Sequence, residues 1–141
     1  MRQVVVLIAL LCASCMDTGL DVPTDQPSIT VGVGGTFSGA NSTIIYADET
    51  IVTTVSEPFG TSTTRKGTAS PGTYARALAK VQSDLPGLAK YNGKVACPDY
   101  GSDTVSVTPP VKGVSGVSVG CPEPKVTALI NELYAILSAP Q

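Results

Sequence analysis

The chain has 141 residues, with 9 Lys and Arg against 11 Asp and Glu, a net charge of −2 and no histidine. Charged residues make up only 14%, against roughly 25% in an ordinary soluble domain. The charge balance lacks the basic excess of a nucleic-acid binder. The missing histidine rules out a Ser-His-Asp triad, an HExxH protease site and a Cys2His2 zinc site.

Residues 1–15 read MRQVVVLIALLCASC. Arg2 and the amino terminus supply a short positive region, and Val4 to Ala13 form an apolar stretch of ten residues. A membrane-spanning helix needs about 20 such residues, whereas a signal-peptide core needs about ten. The run Leu11-Cys12-Ala13-Ser14-Cys15 resembles the lipobox of bacterial lipoproteins, Leu-Ala-Ser/Gly-Cys. Ala13 and Ser14 fit that pattern, and Cys12 stands where Leu is preferred. The resemblance implies cleavage after residue 14 and a diacylglyceryl group on the Cys15 sulfur. It also implies labelling by palmitate. Met16, in place of an inner-membrane-retaining aspartate, implies delivery to the outer membrane, facing the periplasm.

The cysteine count bears on the same point. Loss of residues 1–14 removes Cys12 and leaves Cys15, Cys97 and Cys121 in a chain of 127 residues with net charge −3. One bridge and one odd thiol is a pattern to be explained in an exported protein, and lipidation of Cys15 explains it. Cys97 and Cys121 are then expected to form a disulfide, the alternative being two free buried thiols. Residues 15–27 carry the lipid attachment and a tether rich in Asp and Pro without apolar period. Residues 28–141 are expected to form a single domain.

Within that domain, Ile29 to Val33 reads as a first strand, followed by the glycine-rich stretch Gly34-Gly35-Thr36-Phe37-Ser38-Gly39. Ser42 to Ala47 and Thr50 to Ser56 are rich in β-branched residues and pair as a hairpin around Asp48-Glu49. Thr61 to Thr68 reads as a polar edge strand, where Arg65 and Lys66 discourage further pairing. Ser70-Pro71 is expected to cap a helix whose stripe is Tyr74, Leu78, Val81 and Leu85, and Pro86-Gly87 to stop it. Asp103 to Thr108 and Val114 to Gly120 space their valines two apart, as strands do, with Pro109 to Gly113 as an irregular hairpin. A last helix shows Val126, Leu129, Ile130, Leu133, Ile136 and Leu137 on one face.

The expected order is β-β-β-(β)-α-β-β-α: an α+β fold with five or six antiparallel strands and both helices on one face. Little in this chain points to reaction chemistry. Serines and threonines have no histidine partner, Asp99 and Asp103 lack an EF-hand pattern, and the glycines match no nucleotide fingerprint. No catalytic residue, cofactor or metal is expected, and the low aromatic content of 5% argues against stacking on nucleic acid or sugar.

The stretch Gly34 to Gly39, the helix after it, the strand at Thr104 to Val107 and the C-terminal helix Val126 to Leu137 are together similar to emfourin-like proteins. Those are small bacterial proteins, some of them inhibitors of thermolysin-like metalloproteases. The order covers about residues 28–138, while Thr36 is an insertion in the glycine motif. Inhibition would need an exposed loop from Gly34 to Ser42, with Gly35, Phe37, Ser38 and Asn41 as the candidate contact residues. The sequence therefore supports a lipid-anchored, non-enzymatic envelope protein with a protein-binding domain. The alternative is a secreted inhibitor-like module acting on a metalloprotease.

Overall fold

The computed structural model describes residues 25–35, 37–94 and 96–138. The expected leader 1–14, Cys15 and the tether as far as residue 24 lie outside the described residues. Six strands follow the expected order: β1 (Ser28–Gly35), β2 (Gly39–Tyr46), β3 (Thr50–Ser56), β4 (Ser62–Thr68), β5 (Asp103–Val111) and β6 (Val114–Val119). Helix α1 (Thr73–Leu88) links β4 to the β5–β6 hairpin through a short 3-10 turn, Ala89–Tyr91, and α2 (Pro124–Leu137) closes the fold. The strands form one antiparallel sheet in the order β4-β3-β2-β1-β5-β6. The fold is α+β, with α1 packed on β1, β5 and β6 and α2 on β1 and β5.

Period-two patterning decides which face is buried. Ile29 and Val31, Ile45, Val105 and Val107, and Val117 and Val119 point toward the helices and are almost fully buried. The opposite face is a field of hydroxyl groups. In register, Ser118, Thr104, Gly32, Ser42, Thr54 and Thr64 form one row across all six strands. Hydroxyl pairs join Thr104 to Ser118 at 3.2 Å and Thr54 to Thr64 at 3.0 Å. Such a face faces water at little cost, which suits a sheet covered on one side only.

Helix α2 buries Val126, Leu129, Ile130 and Leu133, with Ile136 and Leu137 half-buried at its end, as its spacing predicts. Helix α1 departs from expectation in three ways. Its buried stripe is Thr73, Ala77, Val81, Leu85 and Leu88, so Tyr74 and Leu78 lie on its flank and are only half-buried. Its cap is Gly72 in a left-handed conformation rather than Ser70. The free N–H groups of Gly72 and Tyr74 instead donate to the two carboxylate oxygens of Glu49, at 2.8 and 2.9 Å. Finally, Pro86 lies inside the helix, which continues to Leu88. The proline forgoes one backbone bond, and burial of Leu88 beyond it offsets that loss.

Strand β5 is also longer than expected. Pro109 and Pro110 sit where its register against β6 shifts between Ser106 and Val111, a place where absent N–H groups are tolerated. The actual turn is only Lys112-Gly113, both with positive φ (48° and 79°), between the paired Val111 and Val114. An ion pair network ties the helices: Lys80 on α1 holds Asp84 at 3.0 Å and also Glu132 on α2.

Candidate functional site

Register places two turns at one end of the sheet. The β1–β2 turn follows Gly35, paired with Gly39, and the β3–β4 turn follows Ser56, paired with Ser62. We call this end distal, because β1 begins at Ser28 at the other end. Large apolar side chains that a fold would normally bury are exposed here. Phe37 is 61% exposed, Phe59 74% and Val55 50%. The two rings meet edge to face, with centroids 5.2 Å apart and planes 79° apart. Phe59 itself sits in the left-handed region (φ 51°), which holds its ring out from the β3–β4 turn.

The tip is braced from beneath by the loop that precedes β5. Gly34 and Ser102 exchange two backbone hydrogen bonds, N–H to O in each direction, at 3.1 and 2.9 Å. The chains come so close that a Cβ on Gly35 would lie 2.6 Å from the Cα of Gly101. Gly101 has φ 83°, so glycine is needed on both sides of the contact. The loop is in turn fixed to the end of β6: Cys97 and Cys121 are joined by a disulfide with Cα atoms 5.0 Å apart. The Cys97 N–H also donates to the Gly120 carbonyl at 2.7 Å.

Between Cys97 and Gly101 stands Tyr100, whose hydroxyl donates to the Asp103 carboxylate at 2.8 Å. Asp103 is buried, and Thr127 on α2 donates to the same oxygen at 3.5 Å. Burial pushes the Tyr100 phenol up to about 12, and the hydrogen bond to Asp103 and its negative charge add to the effect. Burial likewise raises the Tyr134 phenol, and the Asp103 charge adds to it. The Tyr134 hydroxyl donates toward the Asn41 carbonyl at 3.4 Å and the Val31 carbonyl at 3.5 Å. These groups hold the tip to the core.

Of the residues expected in the contact loop, Gly35 lies at the end of β1 against Gly101, and Phe37 forms the tip. The Ser38 hydroxyl donates locally to the Gly39 carbonyl at 3.3 Å. Asn41 lies apart from the exposed rings, in β2 beneath the tip, with its Oδ1 buried. Phe59 and Val55 are the residues that sequence reasoning missed. The signal was available: Pro58-Phe59-Gly60 puts a phenylalanine in a turn, where core packing does not need one. Asp99 and Asp103 are not a joint site, since Asp103 points inward to Tyr100 and Thr127. Among the described residues, no three His, Cys, Asp or Glu side chains gather as metal ligands would. No protein-family model matches this chain, and no curated protein matches it either.

Proposed function

We propose that this is a lipid-anchored protein of the bacterial cell envelope, non-enzymatic, whose domain offers its aromatic tip to a protein partner. The observation that carries this reading is the placement of the two ends. The chain enters at Ser28, and the Phe37–Phe59 pair lies beyond the other end of β1. Eight strand residues separate the ends by about 25 Å. An anchor on Cys15 would hold the first end toward a membrane and direct the tip away from it. Exposed aromatic rings on a braced scaffold are the residue type that anchors protein interfaces, because they bury much area with few rotatable bonds.

Two measurements test the proposal. Labelled palmitate should enter the wild-type chain and be absent from Cys15→Ala, which should also leave the membrane fraction; label in both would overturn the anchor. A photoreactive phenylalanine analogue at position 59 should cross-link one discrete protein in intact envelopes, and the same analogue at exposed Thr64 on β4 should not. Equal products from both positions would remove the tip as a contact surface. Phe37 at the end of a projecting hairpin also suits the inhibitor-like alternative. That reading requires the purified chain to inhibit a thermolysin-like metalloprotease and Phe37→Ser to abolish the inhibition.

A further inference from the structure

A second surface feature lies at the proximal end, where β1 begins. A groove of about 800 Å3 opens between α1 and the projecting arm of the β5–β6 hairpin. On the helix side it is walled by Tyr74 and Leu78, the two apolar residues that the buried stripe of α1 leaves on its flank. On the arm side it is walled by Pro109, Pro110 and Val111, and Pro27 closes it beside the start of β1. The register shift between Ser106 and Val111 falls in the stretch of β5 that carries these residues.

The chemistry of this wall selects its occupant. Three of its residues are prolines, which have no N–H. Gln82 and Ser83 add side-chain donors on the helix side, but along the arm Pro109 and Pro110 offer no N–H to the carbonyls of a peptide strand, and carbonyls left unpaired out of water are costly. A hydrocarbon chain asks for none. The volume lies within the range of about 300–1,000 Å3 that small-molecule sites occupy. Among the lining residues only Lys112 is charged, and it is positive. The hairpin turn presents it with φ 48°.

We propose that this groove binds a long-chain fatty acid, with its hydrocarbon along Tyr74, Leu78, Pro109, Pro110 and Val111 and its carboxylate paired with Lys112. The charge separates a free acid from an anchor's own acyl chain, which is amide- or ester-linked and has no carboxylate. The site therefore does not depend on lipidation of Cys15.

The test uses the full chain carrying Cys15→Ser, with Cys97 and Cys121 oxidised, and 11-(dansylamino)undecanoic acid as probe. The probe should show saturable fluorescence enhancement with one molecule per chain. Pro110 is exposed and outside the core, so Pro110→Glu should leave the circular dichroism unchanged and weaken binding by roughly ten-fold or more, since a charge then faces the hydrocarbon. Leu78→Glu should act alike, and either variant suffices if the other fails to fold. Lys112→Gln should weaken the acid by about two- to five-fold, the yield of an exposed ion pair, and leave the corresponding dansylated alcohol unaffected. Absence of saturable binding overturns the proposal, as does binding that the folded lining variants do not weaken. An acid unaffected by Lys112→Gln would assign the groove to a neutral chain, such as an anchor's, and overturn the fatty acid as ligand.

Discussion

Glu49 occupies a hairpin turn in a left-handed conformation (φ 67°) that a non-glycine residue seldom adopts. Its carboxylate nevertheless serves the first turn of α1, 23 and 25 residues later, where N–H groups need an acceptor and negative charge is favoured. Glu49→Gly keeps the backbone conformation and removes both bonds. It should destabilise the domain by about 1 kcal/mol, the usual value of a lost cap, read from the urea midpoint. Glu49→Gln retains one acceptor and should lose less. The sequence showed Asp48-Glu49 as a turn and Ser70-Pro71 as a cap, each by a local rule. A cap donated across the fold obeys no local rule, so it was not legible. Tyr100 is a second case. Its phenol is raised to about 12 when folded, against an ordinary value near 10 for the unfolded chain. Its contribution is therefore complete below pH 10 and lost as pH rises from 10 toward 12. Stability should fall across that window in wild type and fall less in Tyr100→Phe, as alkaline unfolding curves will show. A wild-type curve flat from pH 10 to 12 would contradict this.

At the scale of elements, the Cys97–Cys121 bridge closes a loop with a sequence separation of 24. The loop contains all of β5 and all of β6, and it fixes the segment that stitches to Gly34. Cys97→Ser/Cys121→Ser should cost about 3.5 kcal/mol on the chain-entropy model, measured by denaturant unfolding against the oxidised wild type. A loss under about 1 kcal/mol would mean that the unfolded chain gains little freedom from the cut. The strands and α2 were legible because period-two and helical spacing are carried by the buried residues themselves. The limits of α1 and β5 were not. Pro86 and the Pro109-Pro110 pair read as breaks, but tertiary burial carried the helix past one, and a register shift absorbed the other two. The mistaken stripe through Tyr74 and Leu78 had its own meaning: apolar residues on a helix flank signalled a partly covered surface.

For the whole molecule, the two ends carry different surfaces on one scaffold: exposed rings distally, a proline-walled groove proximally. The rings contribute little to folding, since both remain largely in water. Phe37→Ser/Phe59→Ser should therefore change unfolding free energy by no more than about 0.5 to 1 kcal/mol, and Phe37→Ser alone should reduce cross-linking through the analogue at position 59. A larger loss would make the pair a structural contact. The Gly34 to Gly39 stretch directed attention to one hairpin. Phe59 belongs to another, 22 residues on, and only the pairing of β2 with β3 brings the two turns to one end. Proximity of that kind is a property of sheet order.

The helices also stop short of one side of the sheet. They pack on β1, β5 and β6, while every residue of β4 is exposed. The domain thus has a firm half and a lighter wing, joined through β2 and β3, and its backbone should open at two different rates. Amide exchange should be slowest in β1 and β5 and far faster in β4. Phe37 follows the end of the firm strand β1, and Phe59 sits in the turn where the wing folds back. Any molecule grasping both rings would bridge the two halves, so its arrival would be felt as slowed exchange along a strand it never touches.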